Sequence, residues 1–296
     1  MRDSFGSFHP IVNFLYFVLV IGFSLALTNP IAQIIAFFCA LIYAITINNR
    51  QNIVFLVKLC LPMVVFASLI NPLFNHRGAT ILLYFSNGNP LTLESFFYGL
   101  FMSLMLVTVF LWFSCFNKVI TTDKFIYLFG KIIPSLSLVL SMSLRFLPRF
   151  KKQMQSVIEA QKGMGKDITS GSLIKRMKIA VSVFSIMLSW VFENAIDTAD
   201  SMKSRGYGLK KRTACSIYRF DKRDKYTIFY LLVCAIFLCV GAFSGVFSFS
   251  YFPDLRFTPI NLTTIPFYIV YFLVSITPII INLKEEIKWK TLVSKI

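Results

Sequence analysis

Apolar residues in this chain come in long, nearly unbroken runs rather than in strict alternation. Six of them, Ile11–Thr28, Ile31–Ile47, Ile53–Ile70, Ser95–Phe116, Tyr226–Val246 and Ile265–Leu283, are close to the ~20 residues a helix needs to cross a hydrocarbon layer. Hydrocarbon offers the backbone no hydrogen-bond partner, so each run predicts a helix that satisfies its own peptide groups rather than an open strand. The expected fold class is all-α, a polytopic membrane helical bundle with about six spans. The first connection, at Asn29-Pro30, predicts a tight turn. The pattern breaks between the fourth and fifth runs, over Asn117–Lys225. Two shorter apolar stretches lie there, Ile132–Leu144 and Ile179–Phe192. At ~1.5 Å per residue each reaches only about 20 Å, short of a ~30 Å core. They are expected to pack on one another at the inner face of the membrane rather than to cross it.

Charge orients the pattern. Lys and Arg number 30 against 13 Asp and Glu, a net charge of +17. From Arg145 to Lys225 there are 18 basic and 7 acidic residues, a surplus of 11, so most of the excess lies in the long middle segment. Arg50 and Lys58 border the third run, Lys118, Lys124 and Lys131 follow the fourth, and Lys284, Lys288, Lys290 and Lys295 follow the sixth. The alternate connections offer only Arg77 and Arg256. Cytoplasmic loops retain cations, so both termini and the middle segment are expected on the cytoplasmic side of the cell membrane. The divisions are 1–118 (four spans), 119–225 (cytosolic) and 226–296 (two spans and a tail). Ile11–Thr28 has one preceding cation, Arg2, and no small-residue cleavage site, which predicts an uncleaved first span. With 56% apolar residues and a mean hydropathy of +0.71, a soluble domain is excluded. The positive-inside bias accounts for the basic balance with the lipid bilayer as partner and no nucleic acid.

Little in the chain points to chemistry. Cys39, Cys60, Cys115, Cys215, Cys234 and Cys239 are scattered without a C-x-x-C pair, and His9 and His76 are the sole histidines, so neither metal nor cofactor is expected. The nearest approach to a phosphate-binding loop, Gly165-Lys166-Asp167, lacks the hydroxyl residue and the upstream glycine, so any ATP-driven step needs another chain. No ionisable residue sits deep in a run; Lys58 lies close enough to an end to snorkel. Glu285-Glu286 reads as a solvated helix face, and His76 and Arg77 belong to a turn-rich external loop that includes the Asn87-Gly88 and Asn89-Pro90 dipeptides. In Ser143–Phe150, "SLRFLPRF", Pro148 predicts the start of the helix Lys151–Gly163, and Arg145 and Arg149 predict interfacial anchoring.

One internal echo stands out. "IEAQKGMGK" at 158–166 aligns with "ADSMKSRGY" at 199–207, pairing Gly163 with Ser204, Met164 with Arg205 and Gly165 with Gly206. Each copy reads as a polar helix ending in a glycine, with a cation in its last turn. Lys210, Lys211 and Arg212 beyond the second copy are assigned to topology and lipid contact.

"NPLFNHRGATILLYF", "LRFLPRF" followed by "EAQKGMG", and "ENAIDTADSMKSRGYGLKKR" followed by "SIYRFDKRDKY" together resemble the transmembrane T component of energy-coupling factor transporters, a family that includes membrane subunits of cobalt-type importers. The resemblance implies a non-catalytic subunit that joins two cytosolic P-loop ATPases to a substrate-capture membrane subunit for vitamin or transition-metal ion uptake. It implies that 119–225 carries two coupling helices, each ending in a small-Arg-Gly motif seated on an ATPase. Ser204, Arg205 and Gly206 match that motif, with Ser in place of the usual Ala. Gly163, Met164 and Gly165 depart from it, because Met replaces Arg. An ion-coupled carrier acting alone, and a membrane scaffold or enzyme without an ATPase, are the competing readings.

Overall fold

The computed structural model describes residues 3–47, 50–84, 90–130, 134–167, 169–207, 218–253, 255–257 and 261–293. Arg2, Lys131, the first residues of Ile132–Leu144, Asn87 to Asn89, Lys210 to Arg212, Cys215 and Lys295 lie outside them. Among the described residues the helices are α1 (Pro10–Ala26), α2 (Pro30–Ile47), α3 (Arg50–Phe74), α4 (Leu93–Val119), α5 (Thr122–Gly130), α6 (Pro134–Gly163), α7 (Leu173–Ser204), α8 (Lys222–Phe243) and α9 (Ile265–Val293). Two short antiparallel pairs accompany them: β1 (Ile81–Tyr84) with β2 (Pro90–Thr92), and β3 (Phe249–Ser250) with β4 (Arg256–Phe257). The protein is an all-α polytopic membrane protein. By length and composition α2, α4, α7, α8 and α9 can cross a membrane, while α1 and the Cys60–Phe74 part of α3 are shorter apolar helices.

Ile179–Phe192 is the middle of a 32-residue helix, long and apolar enough to cross by length and composition, whose polar flanks on both sides continue the same hydrogen-bonded ladder. One expectation is corrected. Pro148 does not start a helix: α6 runs through it from Pro134 to Gly163. A proline inside a helix removes one backbone bond. Here the side chains around it, Phe146, Leu147 and Phe150, line a cavity together with Trp190 and Val191 of α7.

The chain divides into two compact units. The first comprises Met1–Phe125 and Tyr218–Ile296, the second Ile126–Ile217. In the first, α2 turns a face of small residues, Ala32, Ala36, Cys39, Ala40 and Ala44, inward, and small residues let helix backbones approach closely in lipid. Trp112 of α4 is 0% exposed and meets Tyr16, Phe17 and Tyr43 at ring-centroid distances of 6.1, 6.4 and 6.1 Å. The expected turn at Asn29-Pro30 is an N-cap, with Asn29 Oδ1 accepting from Ile31 N at 3.0 Å and Pro30 in the first helical position.

Buried polar groups close the ends of this bundle. Phe5 N donates to Asn282 Oδ1 (2.9 Å), and Asn282 Nδ2 to Asp3 Oδ1 (3.3 Å). Lys124, 8% exposed, donates from Nζ to Gly6 O (2.5 Å) and Val119 O (2.9 Å). Burial pushes its ammonium below the usual lysine range, against the pull of the Asp3 carboxylate. Asp224 accepts from His9 N at 3.2 Å and from Asp221 N at 2.9 Å. At the start of α4, Glu94 is 2% exposed, and its Oε1 takes Thr80 N (3.0 Å) and Thr80 Oγ1 (2.6 Å). Arg77 is exposed, but its carbonyl accepts from Thr92 Oγ1 (2.8 Å) and Ser95 Oγ (2.9 Å), so the external loop is tied to α4.

A glycine marks a close helix approach in this unit. A methyl group on Gly99 of α4 would lie 2.7 Å from Asn71 Cβ and 3.1 Å from Ala67 O on α3, whereas nothing lies within 4 Å of one on Gly22. Gly99→Ala is expected to cost about 1–3 kcal/mol by overpacking, and Gly22→Ala to be neutral or stabilising by up to ~1 kcal/mol. Denaturant unfolding of the two variants in detergent measures the difference.

Candidate functional site

The echoed stretches are helix ends of one geometry. At the end of α6, Lys166 N donates to Gln161 O (3.0 Å) and Gly165 N to Lys162 O (2.9 Å), with Gly165 at φ 77°. At the end of α7, Tyr207 N donates to Met202 O (3.0 Å) and Gly206 N to Lys203 O (3.0 Å), with Gly206 also at φ 77°. A six-to-one bond enclosing a five-to-two bond, with a left-handed glycine, is the Schellman termination. Gly163 and Ser204 are thus the last helical residues, Met164 and Arg205 the caps, and Gly165 and Gly206 the left-handed positions. The register matches the sequence pairing residue for residue.

The two ends differ in what they present. Met164 is 62% exposed and offers a flexible apolar thioether; Arg205 is exposed and offers a planar guanidinium suited to a carboxylate. Ser204 turns its hydroxyl back onto Ser201 O (2.9 Å), leaving a low profile beside Arg205. Behind the α6 end, Asp167 Oδ1 accepts from Thr169 N (2.9 Å) and Thr169 Oγ1 (2.8 Å), and its Oδ2 lies 3.9 Å from Lys162 Nζ. The bonds from Thr169 hold that carboxyl below the usual range.

Within the second unit, α6 and α7 run antiparallel. Met142, Arg145 and Arg149 line one cavity with Ser201, Met202 and Arg205, so the α7 cap sits beside the first half of α6. The α6 cap is at Met164, and at ~1.5 Å per residue the two ends lie about 20–30 Å apart along α6. Arg149 places its guanidinium 5.7 Å from the Trp190 ring centroid where the helices meet. The structure therefore brings Arg145 and Arg149 to Arg205 and keeps Gly163, Met164 and Gly165 apart from them. The sequence signal for this was the spacing of Arg145 and Arg149, one turn apart on one helix face; their neighbour on α7 had no local signal.

A family model described as cobalt transport protein, CbiQ, matches residues 9–215, well over half of the chain. The chain belongs to the CbiQ family. The matched span contains both capped ends. This CbiQ-family chain is also 27% identical over 236 residues to the energy-coupling factor transporter transmembrane protein EcfT of Staphylococcus aureus, covering 72% of this chain and 88% of the relative. It is 28% identical over 181 residues to EcfT 1 of Listeria monocytogenes, covering 57% of this chain and 66% of the relative. It is 32% identical over 107 residues to EcfT of Lactococcus lactis, covering 36% of this chain and 40% of the relative.

The glycines separate a folding role from a contact role. An added methyl meets nothing within 4 Å at Gly163, and Gly165 sits at a positive φ. Gly163→Ala is expected to leave thermal unfolding unchanged or raise it slightly, and Gly165→Ala to cost about 1–2 kcal/mol. Circular-dichroism melts of the full chain in detergent test both, and equal melting of the two variants contradicts the assignment of Gly165 as the left-handed cap.

Proposed function

We propose that the chain is the transmembrane coupling subunit of an ATP-driven energy-coupling factor importer. The observation that carries this reading is the pair of helix ends with one termination geometry, Gly163-Met164-Gly165 and Ser204-Arg205-Gly206, in a chain similar to proteins named as transmembrane components of such transporters. Each end seats on one of two cytosolic P-loop ATPases, with Arg205 pairing with an acidic side chain and Met164 standing where the motif usually has an arginine. The chain itself hydrolyses nothing. Its remaining partner is a substrate-capture membrane subunit, which brings in a vitamin or a transition-metal ion.

In this reading residues 119–225 form the cytosolic coupling region, flanked by membrane portions 1–118 and 226–296, with both termini cytoplasmic. α7 is long enough to cross, but its best window is the least apolar of the five. As a span it would separate Lys175, Arg176 and Lys178 from Lys203 and Arg205 onto opposite faces, against the positive-inside bias. ATP binding draws the ATPases together and with them the two docked ends. The pair pivots where Arg149 meets Trp190, next to Pro148, which leaves the Leu144 carbonyl without its intrahelical donor and eases bending there. That motion tilts the capture subunit between outward and inward access.

Arg205→Glu is expected to abolish uptake and ATPase co-purification while membrane insertion stays normal. Uptake at the wild-type rate by this variant sinks the role of Arg205. Met164→Arg is expected to keep assembly and uptake; a loss of assembly shows instead that this end requires an apolar side chain. Gradient-driven uptake by the chain alone in liposomes would favour the stand-alone carrier.

A further inference from the structure

Arg205 does not stand alone. It lines a cavity of about 650 Å³ with Arg145 and Arg149 of α6 and with Asp197, Thr198 and Ser201 of α7. Three arginines and one aspartate line it, and among the described residues no ion pair joins any of the three to an acid. A second cavity of about 340 Å³ adjoins it, sharing Phe146 and Asn194, and is walled by Leu147, Phe150, Trp190 and Val191. Arg149 and Trp190 mark the junction, 5.7 Å from guanidinium carbon to ring centroid.

A cationic chamber that opens into an apolar one fits an amphipathic anion. Both volumes are in the ordinary range of small-molecule sites. Arginine forks match phosphate oxygens, and a tryptophan at the polar–apolar boundary is the arrangement found at headgroup depth in membranes. A free inorganic anion would use the arginines and leave the apolar chamber without an occupant. We propose that the α6–α7 cleft binds one anionic phospholipid, its phosphate held by Arg145 and Arg149 and the start of an acyl chain lying against Leu147, Phe150 and Trp190. This site is independent of ATPase docking, since Arg145 and Arg149 take no part in either capped end. It makes the anionic lipid content of the membrane a determinant of how α6 and α7 are held at their crossing.

The test uses the full chain in phosphatidylcholine vesicles titrated with phospholipid brominated along the acyl chain, which quenches nearby tryptophan. The Trp190 signal is the difference between the chain and its Trp190→Phe variant. Brominated phosphatidylglycerol is expected to quench it at about twenty-five-fold lower mole fraction than brominated phosphatidylcholine, taking about fivefold for each of two unpaired arginines. Arg145→Gln and Arg149→Gln should each remove about fivefold of that preference, Arg145→Lys with Arg149→Lys should keep most of it, and Lys288→Gln with Lys290→Gln in α9 should keep all of it. Equal quenching by the two lipids overturns the proposal without any variant. So does a preference that survives the double glutamine change, or one abolished by millimolar inorganic phosphate, which identifies a free anion as the ligand. Loss of ATPase co-purification in Arg205→Glu, measured separately, bears on docking and leaves this site to its own result.

Discussion

Peptide groups find no partners in hydrocarbon, and that constraint decides both where this chain is helical and how each helix is allowed to stop. Along the spans the backbone is satisfied internally and the side chains decide only which face turns inward. At the ends the last turn leaves donors or carbonyls exposed, and each end needs its own solution. α2 begins on Asn29 Oδ1, α8 begins with Asp221 and Asp224 in a reciprocal box, and α6 and α7 end on left-handed glycines. The glycine solution has a by-product. It turns the chain sharply away and leaves the cap side chain, Met164 or Arg205, standing at the tip of a rigid rod. In the proposed function, that is how each helix presents one residue to a partner.

The same constraint explains the buried polar residues of the first unit. Lys124, Asn282, Asp224 and Glu94 are each spent on backbone groups of a distant segment: the turn Phe5–Ser7, the start of α1, and the loop after α3. They act as ties rather than as chemistry. Removing one partner from such a tie strands a buried polar group, so these residues hold the irregular segments against the bundle more firmly than their number suggests.

Function in this reading is mechanical, and the second unit has the parts such a role requires. Two long helices give stiffness, their antiparallel crossing keeps the capped ends about 20–30 Å apart, and Pro148 weakens one helix at the crossing. The Arg145–Arg149–Arg205 chamber places unpaired positive charge at that crossing, where a bound anion would stiffen it. The proposed docking at the tips and the proposed anion binding at the crossing would be separate physical events on one pair of helices.

The sequence by itself determined the helical class, the placement of the apolar runs and the register of the two capped ends. Each of these follows from local rules: run length against hydrocarbon thickness, and the need for glycine at a positive φ. Gly163, Met164 and Gly165 could be matched to Ser204, Arg205 and Gly206 before any fold was known, because a Schellman end is written within six consecutive residues. Tertiary structure decided the rest. Pro148 sits inside a helix that runs unbroken from Pro134 to Gly163, and the neighbours of its turn on another helix leave no trace in the local pattern. α7 is a single 32-residue helix because its charged flanks continue the ladder, which an apolar-run count overlooks. The tie of Asn282 to Asp3 and Phe5, and the meeting of Arg205 with Arg145 and Arg149, join residues far apart in the chain. Only the path of the backbone through space brings such groups together, and no periodicity along the chain encodes it.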